Sequence, residues 1–183
     1  MKSTRLRMFA LLILGIVMFA SVVFNFRSDG RHAQELFLAF KRAASETGEL
    51  EATQHLKEFL ALPAESVAFV LVTEIRKNAG ATWSESYSPT AMDLLREVPA
   101  APVIKCVDDA LSQPPVDGFF TPEEQVCLLY LARATVSCDR SDLALANQHI
   151  MNLLRKNIRK FLRSDCCRLA RSLNVDIGCV YGE

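Results

Sequence analysis

The run from Met8 to Phe26 holds 19 residues without a charge, and it restricts the topology of the chain more than any other feature. At about 1.5 Å per helical residue it comes close to the roughly 30 Å of hydrocarbon in a bilayer. A secretory signal has a shorter apolar core, of about 7–15 residues, closed by small residues at the cleavage site. Here the nearest small pair, Ala20-Ser21, is preceded by Met18 and Phe19 and followed by further apolar residues. The segment therefore reads as a retained signal-anchor, with cleavage and secretion as the competing reading. Lys2, Arg5 and Arg7 precede it, and Arg27, Asp29 and Arg31 follow. The positive-inside bias then places the N-terminus in the cytoplasm and the body in a lumen, a periplasm or the cell or virion exterior.

The organisation expected from this is a cytoplasmic tail over 1–7, a transmembrane signal-anchor over 8–26, a juxtamembrane hinge over 27–35 and an extracytoplasmic helical domain over 36–183. Roughly 155 residues follow the apolar segment, the usual size of one domain with a single core. Half of all residues are apolar and 23% are charged, so the chain has enough to bury and is not a disordered polymer. The zero net charge conceals an asymmetry. Residues 32–124 carry seven basic and fifteen acidic side chains, whereas residues 125–183 carry nine basic and five acidic ones.

All six cysteines, Cys106, Cys127, Cys138, Cys166, Cys167 and Cys179, lie beyond residue 100. An even number on the non-cytoplasmic side reads as a framework of up to three disulfides, whose connectivity the sequence leaves open. Cys166 and Cys167 should take different partners, because a bond between neighbours strains disulfide geometry. Metal binding is not expected, since there is no C-x2-C pair and no histidine at ligand spacing from a cysteine. The absence of an N-x-S/T sequon argues against N-glycosylation.

The apolar spacing predicts an all-α body. Leu36, Phe37, Phe40, Ala43 and Ala44 recur at helical intervals up to Gly48, and Leu50, Leu56, Phe59 and Leu60 mark a second helix stopped by Pro63. Together they suggest a helical hairpin. "SVAFVLVTEI" suits a buried strand by its β-branched residues, but its flanks resemble a helix start and stop, and helix is preferred. "NAGATWSESYS" is a loop holding the only tryptophan, Trp83. Ser88-Pro89 is expected to open a short helix to about Val98. Pro99 and Pro102 should bracket a break before a helix over about Val103–Leu111. Thr121-Pro122-Glu123-Glu124 has the form of a capping box with proline at the first position, opening a central helix to about Cys138. Asp139 or Ser141 can cap the next helix, in which Leu143, Ala146, Ile150, Leu153, Leu154, Ile158, Phe161 and Leu162 form the apolar stripe. A last short helix is expected around Cys166 to Leu173.

The opposite face of that long helix holds Arg155, Lys156, Arg159, Lys160 and Arg163, a candidate docking face for an anionic partner. Nucleic acid is not expected there, for want of aromatic interleaving and because of the expected topology. Asp108-Asp109 reads as a solvated helix edge, because adjacent helical carboxylates diverge by about 100° and do not converge on one ion. His32, His55 and His149 show no catalytic spacing, and no nucleophile elbow, zincin, P-loop, dinucleotide or C-x-x-C motif occurs. A glycosyltransferase would need a larger domain and a D-x-D. The layout, with the run Cys106-Val107-Asp108-Asp109-Ala110-Leu111, resembles the small N-anchored, disulfide-bearing ectodomain subunits of large-virus entry and fusion complexes. That resemblance spans six residues and a layout and assigns no residue a role. The sequence thus points to a single-pass membrane-anchored binding or structural subunit partnered by another protein, or else to a secreted disulfide-bonded ligand. It predicts no cofactor and no catalytic residue.

Overall fold

The computed structural model describes residues 30–46, 49–77 and 90–154, and every described element is helical. The expected transmembrane segment, the Trp83 loop, the basic face from Arg155 to Arg163, and Cys166, Cys167 and Cys179 with the last short helix lie outside those residues. The chain divides into two compact units, Met1–Ser66 and Val67–Glu183.

In the first unit, α1 covers residues 30–46 and α2 spans Glu49–Leu60. Ala33, Phe37, Phe40 and Ala43 follow one another every three or four residues, so they share one face of α1, and all are buried. Phe59 of α2 closes on that face, its ring 5.2 Å from Phe37 and tilted by 43°. Lys41 lays its ammonium 5.9 Å from the Phe37 centroid, so its stem covers apolar surface while its charge stays wet. The two helices form the hairpin that the apolar spacing predicts. Pro63, which cannot continue α2, instead accepts from the Ser66 amide at 2.9 Å and so opens α3, Ala64–Lys77.

The second unit begins within α3. Val67, Ala68, Val70, Leu71, Val72, Ile75 and Arg76 are all buried, which explains why the segment has no clean period: a helix covered on most sides needs no polar stripe. The preference for helix over strand is correct here. Next come α4, Ala91–Leu94, a 3-10 turn at Leu95–Glu97, α5, Ala100–Ser112, α6, Pro122–Ser137, and α7, Arg140–Leu154. α6 lies against α5, α7 and the 3-10 turn. Cys127, Leu128, Leu129, Leu131, Ala132 and Ala134 of α6 are buried, as a central helix requires.

The expected capping box of α6 is present: Glu124 N donates to Thr121 Oγ1 at 3.3 Å and Thr121 N donates to Glu124 Oε2 at 2.9 Å. Two helix starts differ from expectation. α4 is capped by Thr90, which makes a capping box with Asp93, not by Ser88; the T-x-x-D spacing supplies both halves of the box. α5 begins at Ala100 and takes Pro102 into its first turn, where the missing N–H costs nothing because that amide has no intrahelical acceptor.

Three further expectations are corrected. No helix among the described residues is long and apolar enough to cross a membrane; the central helix, α6, has 16 residues, short of the roughly 20 that a bilayer requires. The assignments as an integral single-pass membrane protein, and of the body to the extracytoplasmic side, are therefore not upheld. Nor does any disulfide join Cys106, Cys127 and Cys138. Cys127 is buried on α6 whereas Cys138 is exposed at its end, and at 1.5 Å rise per residue they stand about 16 Å apart along the helix, beyond disulfide reach.

Cys138 ends α6 in the left-handed conformation, φ 53°, where its amide donates to Ala134 O. A side chain there costs energy that glycine avoids. Cys138→Gly is expected to raise stability by about 0.5–1 kcal/mol in urea unfolding, and an equal loss instead would show that the thiol itself packs usefully.

Candidate functional site

The segment joining α5 to α6, residues 113–121, is short of regular structure yet tightly tied. At its start, Gln113 N bonds Ala110 O and ends α5. Arg76 of α3 then donates from Nη2 to Pro114 O at 2.9 Å. Gln125, only 2% exposed, treats Val116 as a strand partner would: its Oε1 accepts from Val116 N at 3.1 Å and its Nε2 donates to Val116 O at 2.7 Å. The same Nε2 reaches Phe120 O at 3.2 Å. Phe119 N donates to Lys77 O at 2.8 Å. Gly118 permits that approach, because a Cβ there would sit 2.8 Å from Lys77 O and 2.9 Å from its Cα. Five hydrogen bonds to Arg76, Lys77 and the Gln125 side chain thus hold the loop.

Their result is a fixed pair of rings. Phe120 is buried, whereas Phe119 stays 51% exposed, packed edge-on against it at 5.3 Å and 84°. Burial of one ring anchors the other, so Phe119 is presented with little freedom left to lose. Phe69 on α3 and Leu145 on α7 are the other exposed large apolar side chains among the described residues of this unit.

A second cluster gathers charge where α5, α6 and α7 meet. Arg133 of α6 pairs with Asp108 of α5 and with Asp142 of α7, the latter at 3.0 Å from Nε. Asp142, in the first turn of α7, also accepts from Ser137 Oγ at 2.9 Å. Desolvation opposes the Arg133 charge, but the pull of Asp142 and then Asp108, with hydrogen bonds to both, outweighs it and holds the guanidinium above its ordinary value. Asp108 is thereby half of an ion pair across helices, and it does not converge with Asp109.

Asp139 caps α7, accepting from Ser141 N at 2.8 Å and from Ser141 Oγ at 2.7 Å. The backbone bond first, and the hydroxyl second, hold its carboxyl below the ordinary value of 3.8. A carboxylate with a lowered folded pKa contributes stability that is complete above its unfolded pKa and is lost as pH falls through the folded one. Wild type and Asp139→Asn should therefore keep a constant stability difference down to about pH 4 and converge below it; a gap that closes above pH 5 would assign the effect to another group.

The remaining candidates do not assemble. His32 is exposed, His55 lies 3.9 Å from Glu51 and 3.8 Å from Glu58 on its own helix, and His149 stacks on Tyr130 at 5.1 Å. Among the described residues no group of three or more His, Cys, Asp or Glu could hold a metal ion. Gln125 and Arg76 were not marked by motif or spacing. The one signal was a lone amide on the stripe it shares with Leu128, Leu129 and Ala132.

No family model, no curated protein and no solved structure matches this chain.

Proposed function

We propose that this chain is a helical binding or structural subunit that engages another protein, with the loop between α5 and α6 as its contact element and no catalytic role. The observation that carries this reading is Phe119, half exposed on a loop held by the Lys77 backbone and by the Gln125 side chain. Aromatic anchors that lose little freedom on docking dominate protein interfaces, because a large apolar area is buried at low entropic cost. Four charged residues of the second unit support it: Arg133, Asp108, Asp142 and Asp139 are engaged with one another and with helix ends. Their work is structural.

A photo-crosslinking phenylalanine analogue placed at position 119 and, as control, at the exposed Leu145 tests this in the native host. A discrete protein adduct is expected at 119, weakened when Gln125→Leu unties the loop, and not at 145. Background labelling alike at both positions would overturn the assignment.

A further inference from the structure

We propose that the loop over residues 113–121 is a latch, which opens as a local unit while α5, α6 and α7 stay folded, and that the burial of Arg76 under it sets how often it opens.

The loop itself is mostly on the surface. Gln113, Pro114, Pro115, Asp117, Gly118 and Phe119 are exposed, so the apolar area that opening uncovers is that of Phe120 and half-buried Val116 alone, and the hydrophobic term is smaller than that of a core element. What closes the loop is its hydrogen bonds, and one of these is made at a cost. Arg76 is 6% exposed. Its Nη2 reaches Pro114 O, but Nε is buried with no hydrogen-bond partner among the described residues. Asp117 and Glu123, the nearest acidic groups in sequence on the loop and at the start of α6, are both exposed and no ion pair joins either to Arg76 among the described residues. A buried cation with one neutral acceptor and an orphaned donor is poorly compensated. Burial accordingly pulls the guanidinium below its ordinary value.

Opening reverses each loss. Once Pro114 lifts away, water reaches the whole guanidinium, and the freed carbonyls of Pro114 and Phe120 are solvated as well. Opening also uncovers Phe120, which is buried in the closed loop, and places a second ring beside Phe119. This consequence rests on the reading of Phe119 as a contact residue; the latch itself does not.

Hydrogen exchange on the full-length chain separates the two. The amides of Val116 and Phe119, which donate to Gln125 Oε1 and Lys77 O, are expected to exchange at least about a hundredfold faster than those of Leu128 and Leu129, with little dependence on added denaturant. Arg76→Met keeps the length and removes the charge, and should slow the two loop amides about tenfold while leaving the α6 amides unchanged. Equal protection of loop and α6 in the wild type would overturn the latch, because the loop would then open only on global unfolding. Faster loop exchange in Arg76→Met would overturn the role of the buried charge.

Discussion

Replacing Gln125 with leucine is expected to destabilise the second unit by about 2–4 kcal/mol, although the change makes the side chain more apolar at a buried position. Shape is nearly conserved, so the lost term is polar. The variant removes the partners of Val116 N, Val116 O and Phe120 O and leaves backbone groups that α6 and the loop enclose. A net hydrogen bond contributes about 1 kcal/mol, but an abandoned buried group costs about 1–3. Val116 is only half buried, so water recovers part of the loss, and the sum stays below the full penalty for three groups. Urea unfolding monitored by far-UV circular dichroism measures it. A loss under 1 kcal/mol would mean that the loop moves aside and hydrates its own backbone.

Arg133→Met comes next, at about 2–3 kcal/mol, and the more telling quantity is how that loss divides between its two partners. Asp142 is 7% exposed and takes both oxygens to the Arg133 Nε, at 3.0 and 3.1 Å. Asp108 is exposed. Coulomb energy between enclosed charges is screened less than at the surface, and an enclosed carboxylate that loses its cation keeps its desolvation penalty. A double-mutant cycle between Arg133 and Asp142 should therefore give a coupling of about 1–2 kcal/mol, against about 0.5 or less for Arg133 with Asp108. The first should survive in 0.5 M salt and the second should vanish. Equal couplings would show that the cluster is a surface network with no enclosed member.

Both predictions concern residues that no local pattern picks out. Arg133 and Asp108 are 25 positions apart, and Gln125 and Val116 are 9 apart, so neither pair shares a helix turn or a motif. The box Thr121-Glu124 was legible because its two halves lie within one turn and its bonds depend on no other part of the chain. Thr90-Asp93 carries an equally local signal, but Ser88-Pro89 beside it offers a second start, and the expectation followed the proline. α3 was ambiguous for a different reason: it is buried on most sides, and Phe69 stands on its exposed face, so few polar positions remain by which a period is recognised.

Local chemistry in the sequence was sufficient for helix as the only regular element of the described residues, for the Phe37–Phe40 face of the hairpin, for the central place of α6 and for the cap of α6. These depend on interactions within three or four residues, or on an apolar count that any packing must satisfy. The tertiary structure alone decided which residues of the loop 113–121 are tied, why position 118 must be glycine and that Asp108 pairs away from Asp109. Each is a relation between segments brought together by folding, and its energy depends on enclosure and on distance across helices, quantities that have no value until the helices have packed.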